Sequence, residues 1–376
     1  MRKNLFVRSI AAVSGIVMLA SLAACGDNIS SAGNNSGSTS TEKITGSFSG
    51  AGATSQQAAE EAWISAYMAA NSGANVTYNP TGSGAGVTTF LSGATAWAGS
   101  DKALSDDEVT QSSDKACANG TTAFDVPVYI SPIAIIFNLK GVSDAGKHIN
   151  LDADTAAKIF DGKIVKWNDP AIANQNKDLA LPDTQITVVH RSDKSGTTQN
   201  FVSYFKDQAP DSWTHELSEN WPDIPGQQSA KGTSGVVTAV KQADGTIGYA
   251  DFSQVGDLGT AAIKVGENYN EISADAGSKV IEDSEIDTSV KGDNRVVVKI
   301  NHATEAKGAY PIVLVSYDIA CPAYKDASTA KFVKSWFTYV TSDEGQQTAA
   351  SAAGSAPMSN TLRQKVVKSI DAIKTK

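Results

Sequence analysis

"QITVVHRSDKSGTTQNFVSYF", residues 185–205, decides the fold. Ile186 to Val189 is a short apolar, β-branched run, which reads as a strand. Ser195, Gly196, Thr197 and Thr198 form a polar glycine turn. Phe201, Val202 and Phe205 then recur at helical spacing and read as a helix's core face. The same order of strand, glycine turn and helix appears in "ITGSFSGAGATSQQAAEEAWISAYMAANSG" (44–73), with Trp63, Ile64, Tyr67 and Met68 as the apolar stripe, and in "ANVTYNPTGSGAGVTTFLSG" (74–93). Further strands are expected at 124–139, 246–252, 295–300 and 310–322. Helices are expected over 152–167, ending near Gly162, over 329–350, with Phe332, Trp336, Tyr339 and Val340 on one face, and over 361–374. Alternation of this kind means an α/β fold with mostly parallel sheets, whose ligands sit at the carboxyl ends of strands.

Three of the strand-to-helix turns share one chemistry: Ala53-Thr54-Ser55, Ser83-Gly84-Ala85-Gly86 and Ser195-Gly196-Thr197-Thr198. Each offers backbone N–H groups and a hydroxyl at a helix N-terminus, where unsatisfied donors and a partial positive charge suit an oxyanion. Singly, each is an ordinary N-cap; together, one of them beside Arg191, they point to an anion site. The Arg191 fork can hold two oxygens of a tetrahedral anion, and Asp193, two residues on, can pair with it and fix its direction. Asp101, in "AWAGSDKALSDDEV", repels an anion unless the anion carries a proton to give. Hydrogen phosphate does and sulfate at neutral pH does not, so an aspartate in the site would select between them.

The first 24 residues read as a secretory leader: Arg2, Lys3 and Arg8, then "IAAVSGIVMLASLAA". "LAAC" resembles a bacterial lipobox, so Cys25 is expected to carry the acyl chains, and two or more chains anchor stably. Residues 25–41 are mostly Gly, Ser, Asn and Thr and are expected to be a flexible tether. The chain carries a formal charge of −9; without its leader, 28 basic against 40 acidic side chains leave about −12. An acidic exported protein is a poor partner for nucleic acid. Cys117 and Cys321 have one possible intramolecular pairing in an oxidising compartment, the alternative being two buried thiols. His148, His190, His215 and His302 have no metal-ligand spacing, and neither C-x-x-C nor G-x-S-x-G occurs, so no metal, cofactor or enzymatic step is expected. Gly141 to His148 approaches a phosphate-binding P-loop, but His148 stands where the motif needs Ser or Thr, and the segment reads as a loop. Phe201 and Phe205 read as core.

"GAGAT" (50–54), "TGSGAGV" (81–87), "GSDKALSDDE" (99–108), "GKIVKWNDPAI" (162–172), "RSDKSGTT" (191–198), "IGYADF" (247–252) and "YPI" (310–312) occur in the order found in the phosphate-binding proteins of ABC phosphate importers. From about residue 44 to the C-terminus the chain resembles that family. The resemblance implies a two-lobed periplasmic-binding-protein fold with two crossovers, with lobe 1 at 42–131 plus 305–376 and lobe 2 at 132–304. It implies inorganic phosphate held by Ala53, Thr54, Ser55, Ser83, Asp101, Arg191, Ser195, Gly196 and Thr197, and a membrane permease as partner of a monomeric, lipid-anchored receptor. Ser55 stands where the family often has Phe, Lys194 where Gly is common, and Ala96 where Asp is common. The competing readings are a receptor for another tetrahedral oxyanion, a phosphatase or serine hydrolase using Ser83 or Ser195, and a surface adhesin.

Overall fold

A computed structural model describes residues 43–143 and 148–375. The expected leader (1–24), Cys25 and the tether (25–41) lie outside the described residues, as does the 144–147 part of the P-loop-like segment. In chain order the elements are β1 (Gly46–Gly52), α1 (Gln57–Ala70), β2 (Ala74–Asn79), α2 (Ser83–Leu91), β3 (Trp97–Ser100), α3 (Asp106–Ser112), β4 (Phe124–Asn138), β5 (Ile149–Leu151), α4 (Ala153–Phe160), α5 (Pro170–Ala173), β6 (Thr187–Arg191), α6 (Gly196–Gln208), β7 (Gln228–Ala230), α7 (Gly232–Gln242), β8 (Thr246–Asp251), β9 (Gly259–Val265), β10 (Asn268–Asn270), α8 (Ala274–Glu282), β11 (Glu285–Ile286), β12 (Val298–Lys299), β13 (Val313–Ala320), α9 (Ala327–Val340), α10 (Asp343–Ala353) and α11 (Asn360–Asp371).

The strands join in the order β2-β1-β3-β13-β4-β8-β6-β7, and β9 adds to β4 while carrying β5 and β10. The βα units expected from sequence pair in parallel: β2 and β3 on β1, and β7 and β8 on β6. Antiparallel pairing gathers on the two long apolar strands, β4 and β13. The sheet is therefore mixed, with helices on its faces. β4 changes partner midway: Phe124 to Pro132 face β13, and Ile133 to Asn138 face β8. All of β13, and all of β4 but its last residue, are buried, which explains why both read as long, mostly apolar runs instead of alternating ones.

Two groups of aromatic rings stand within one continuous core. In one, Phe48 stacks on Phe332 with centroids 4.0 Å apart, and Tyr67 meets Trp336 edge-on at 5.2 Å. In the other, Phe201 stacks on Tyr249 at 4.5 Å and meets Phe160 edge-on at 4.8 Å. Phe201 and Phe205 are fully buried, as expected for core; burying each stabilises by about 1.5–3 kcal/mol. Cys117 and Cys321 form a disulfide between the segment before β4 and the end of β13.

Two elements differ from expectation. The helix anticipated over 329–350 is two helices, α9 and α10. Ser342 breaks it by turning its side chain to accept from the Gly345 N–H at 3.1 Å, an N-cap inside an otherwise helical pattern. The run "RVVVKI" (295–300) pairs only at Val298–Lys299. Its start is drawn off to β4, where Val296 N–H donates to Asp125 O at 2.9 Å and Arg295 binds the Asp125 carboxylate.

Candidate anion-binding site

The glycine turns converge where β1, β3 and β6 end. Ser55, Ser83, Asp101, Arg191, Ser195 and Thr197 are each 3% exposed or less, and Thr54 is 7% exposed. Asp101 is the knot. Ser55 Oγ and Ser316 Oγ each donate to its Oδ1 at 2.6 Å, and Thr197 Oγ1 donates to its Oδ2 at 2.6 Å. Its own N–H donates to Ser83 Oγ at 3.2 Å, and Asn200 Nδ2 donates to its carbonyl at 2.6 Å. Five residues from four separate chain segments thus meet on one residue. Gly196 allows the close fit, because a Cβ there would stand 2.9 Å from Asp101 Cβ.

Arg191 ends β6 and is fixed by a two-pronged bond to Asp193, Nε to Oδ1 at 2.8 Å and Nη2 to Oδ2 at 2.6 Å. Gly232 N–H adds a bond to Asp193 Oδ1 at 3.0 Å. Burial pushes the Asp193 carboxyl up, but the Arg191 bond and charge together with the Gly232 amide outweigh it, and the net effect holds it below the usual carboxylate range. Arg191 Nη1 has no protein partner among the described residues. Gly82, at φ +99°, lets the second turn lie against this pair; a Cβ there would stand 2.4 Å from Asp193 Oδ2.

Donors are in surplus. Among the described residues, the N–H groups of Thr54, Ser55, Ser83, Gly196 and Thr197 have no acceptor within the chain. Ser195 caps α6 by accepting from Thr198 N–H at 3.2 Å. Ala53 differs: its N–H already donates to Gly99 O at 2.9 Å, so it contributes position and not a free donor.

A fourth helix start joins the three expected. Thr233, at the beginning of α7, donates its N–H to Thr54 Oγ1 at 3.1 Å, and the two hydroxyl oxygens are 2.8 Å apart. The signal was present in sequence as Gly232-Thr233-Ser234-Gly235 ahead of Val236 and Val240. Gln254 also reaches in, donating to Thr54 O at 2.7 Å. Ser316 was not legible; it is a polar interruption of an apolar strand, brought to Asp101 by an irregular register between Ser316 and Tyr317. At the rim, Lys194 Nζ lies 3.2 Å and Lys102 Nζ 3.8 Å from the same oxygen of buried Glu219, and the Lys194 stem packs over Gly84. The residue that departs from the family's glycine thus forms part of a two-lysine clasp.

This architecture, helix N-termini of a mixed α/β sheet converging on one buried cluster, is that of the periplasmic solute-binding class. A family model described as a PBP superfamily domain matches residues 37–344. Two mycobacterial proteins, the phosphate-binding protein PstS2 of Mycobacterium bovis and the phosphate-binding protein PstS 2 of Mycobacterium tuberculosis, are each 36% identical over 98% of this chain and 99% of their own length. The chain belongs to this family of PstS phosphate-binding proteins. Among solved structures, a high-affinity periplasmic phosphate-binding protein (PfluDING) bound with phosphate superposes with a TM-score of 0.69 at 23% identity, covering 85% of this chain and 92% of that one. A phosphate-binding protein from Stenotrophomonas maltophilia superposes with a TM-score of 0.67 at 20% identity, covering 86% and 93%. These two structures speak to the fold.

Proposed function

We propose that the chain captures inorganic phosphate outside the cell and hands it to the membrane permease of an ABC phosphate importer, with no chemical step. The observation that carries this reading is Asp101: one carboxylate among free backbone donors and a spare arginine edge. A fully ionised anion gains from the donors and is repelled by the carboxylate, whereas a protonated phosphate gives its O–H to it. The ligand contacts are Thr54, Ser55, Ser83, Asp101, Arg191, Ser195, Gly196 and Thr197, with Ala53 setting the first turn and Asp193 holding Arg191. Burial of the cluster fits an anion enclosed on closure of two lobes. The switch of partner along β4 supports lobes of 42–131 plus 305–376 and 132–304.

A hydrolase reading gains nothing from the serines. Ser83 Oγ accepts from Asp101 N–H and Ser195 Oγ from Thr198 N–H, and the histidine bonds go elsewhere, to Thr260, Arg191, Asp161 and Pro311. The receptor works as a monomer held to the outer membrane face through acylated Cys25; mass spectrometry of the mature N-terminus is expected to find the lipid there. Calorimetry with phosphate and sulfate tests the ligand. Phosphate is expected to bind at least about a hundredfold more tightly, and Asp101→Asn is expected to weaken phosphate and narrow that ratio. Comparable affinity for sulfate in the wild type would remove the reading.

A further inference from the structure

Behind Asp101 lie hydrogen-bond acceptors without donors. Gln56, Glu60 and Asp318 are each 0% exposed. Gln56 Nε2 donates to Ser316 Oγ at 2.8 Å, and Ser316 passes its own hydrogen to Asp101 Oδ1 at 2.6 Å. The other end of that amide, Gln56 Oε1, has no donor among the described residues, and neither do Glu60 Oε2 or the two oxygens of Asp318. Glu60 Oε1 has one long bond, from Trp97 Nε1 at 3.4 Å.

These groups share one space. Asp318 of β13 stands opposite Gly99 of β3, so its side chain shares the face on which a Gly99 side chain would sit. A Cβ at Gly99 would lie 2.3 Å from Gln56 Oε1 and 2.4 Å from the Tyr78 hydroxyl. The absent side chain makes room for the amide oxygen. Tyr78 cannot serve as the missing donor, because its hydroxyl is committed to Ala53 O at 3.0 Å. Each buried acceptor left bare costs desolvation free energy, and neighbouring ionised carboxylates would repel one another and any anion in front of them. A proton on the carboxyls answers both: its O–H can donate to the amide oxygen or to the other carboxylate.

We propose that Glu60 and Asp318 share a proton at neutral pH and act as positioning residues for Asp101. They set the Gln56 amide so that Ser316 gives its hydrogen to Asp101, and they hold the wall behind the anion site to one negative charge instead of two. The inference rests on the phosphate reading. Burial pushes the Asp318 carboxyl up to about 8. Burial, and after it the charge of Asp318, raises Glu60 well above the ordinary carboxyl value. The other titratable groups facing the pair are Tyr78, itself held well above its ordinary value by burial and then by Glu60, Asp318 and Asp101, and Asp101. Once the proton is lost, the amide gains by turning its NH2 to the carboxylates. Its oxygen then takes the Ser316 hydrogen from Asp101, and a new negative charge stands behind the ligand.

The test titrates inorganic phosphate calorimetrically into the full chain from about pH 7.5 to 10, above the second ionisation of a phosphate group. Wild-type affinity is expected to fall at least about tenfold across that window. Asp318→Asn, neutral throughout and able to donate to Gln56, is expected to start within about threefold of wild type and to lose the fall. A flat wild-type profile, or the same fall in Asp318→Asn, overturns the proposal. Infrared spectroscopy supplies a readout independent of phosphate. A protonated-carboxyl stretch is expected near neutral pH, bleaching as the pH rises and reduced in Asp318→Asn, or in Glu60→Gln should the first variant not fold; no such difference overturns the proposal. If wild type binds no phosphate at any pH, the functional reading fails and the infrared result alone decides the proton.

Discussion

Arg191–Asp193 and Arg295–Asp125 are both buried, two-pronged arginine–aspartate pairs, yet they are finished differently. Arg295 spends its whole fork inside the protein: Nε and Nη2 on Asp125 at 2.7 and 2.8 Å, Nη2 also on Leu104 O at 2.7 Å, and Nη1 on Lys291 O at 2.8 Å. Its side chain is 1% exposed and its partner's 0%. Burial alone would lower the Arg295 value, but the bond and charge of Asp125 outweigh it and the net value is raised. Arg191 has the same grip on a carboxylate only two residues away, and leaves Nη1 without a protein partner among the described residues. Identical pairs can therefore serve different ends, and the edge left over distinguishes them.

Breaking each pair separates the two roles. Arg295→Ala leaves Asp125 charged, buried and stripped of its cation, and is expected to cost about 3–5 kcal/mol of stability in urea unfolding. The folded fraction should bind phosphate as wild type does. Arg191→Ala is expected to cost about 2–5 kcal/mol of phosphate affinity by calorimetry. Its stability loss should be smaller, because Asp193 keeps the Gly232 amide and is 14% exposed. If Arg191→Ala unfolds the protein while its folded fraction binds normally, the distinction collapses.

Acid sharpens the comparison. Because Asp193 is held below the ordinary carboxyl value, its contribution to stability is fully present above the unfolded value near 4 and is lost as the pH falls through the depressed one. Asp193→Asn is expected to flatten that acid limb, followed by urea midpoints between pH 5 and 2. The smallest effect belongs to the rim. Lys194 is half exposed, so Lys194→Ala is expected to change affinity by about 0.5 kcal/mol or less, read as at most about a twofold faster release in stopped flow.

The sequence was most informative where a local pattern carries the geometry. The turns at 53–55, 83–86 and 195–198 announce themselves by Gly, Ser and Thr ahead of apolar periodicity, and the burial of β4 and β13 follows from their long, mostly apolar runs. What was hidden depends on long-range register. Ser316 reaches Asp101 across 215 residues through an irregular strand pairing, and Asn200 through α6's approach to the loop after β3. Gln56 and Glu60 look like the polar side of an amphipathic helix, yet both are buried, Gln56 in the room that Gly99 leaves beside it. "RVVVKI" has strand propensity, and Arg295 overrides it by anchoring to a carboxylate 170 residues earlier. Ser342 read as one more helical residue, although its chemistry is that of a cap.

The bond between Cys117 and Cys321, 204 residues apart, gives the molecule a circuit as well as a fold. Everything from the end of α3 to the end of β13 lies within one covalent loop, including Arg191, the α6 and α7 turns and β4. A single protease cut anywhere inside that loop leaves one particle of unchanged mass apart from an added water, separable into two pieces only after reduction. A chain nicked there keeps Ser55, Ser83 and Asp101 covalently joined to Ser316 through that one bond.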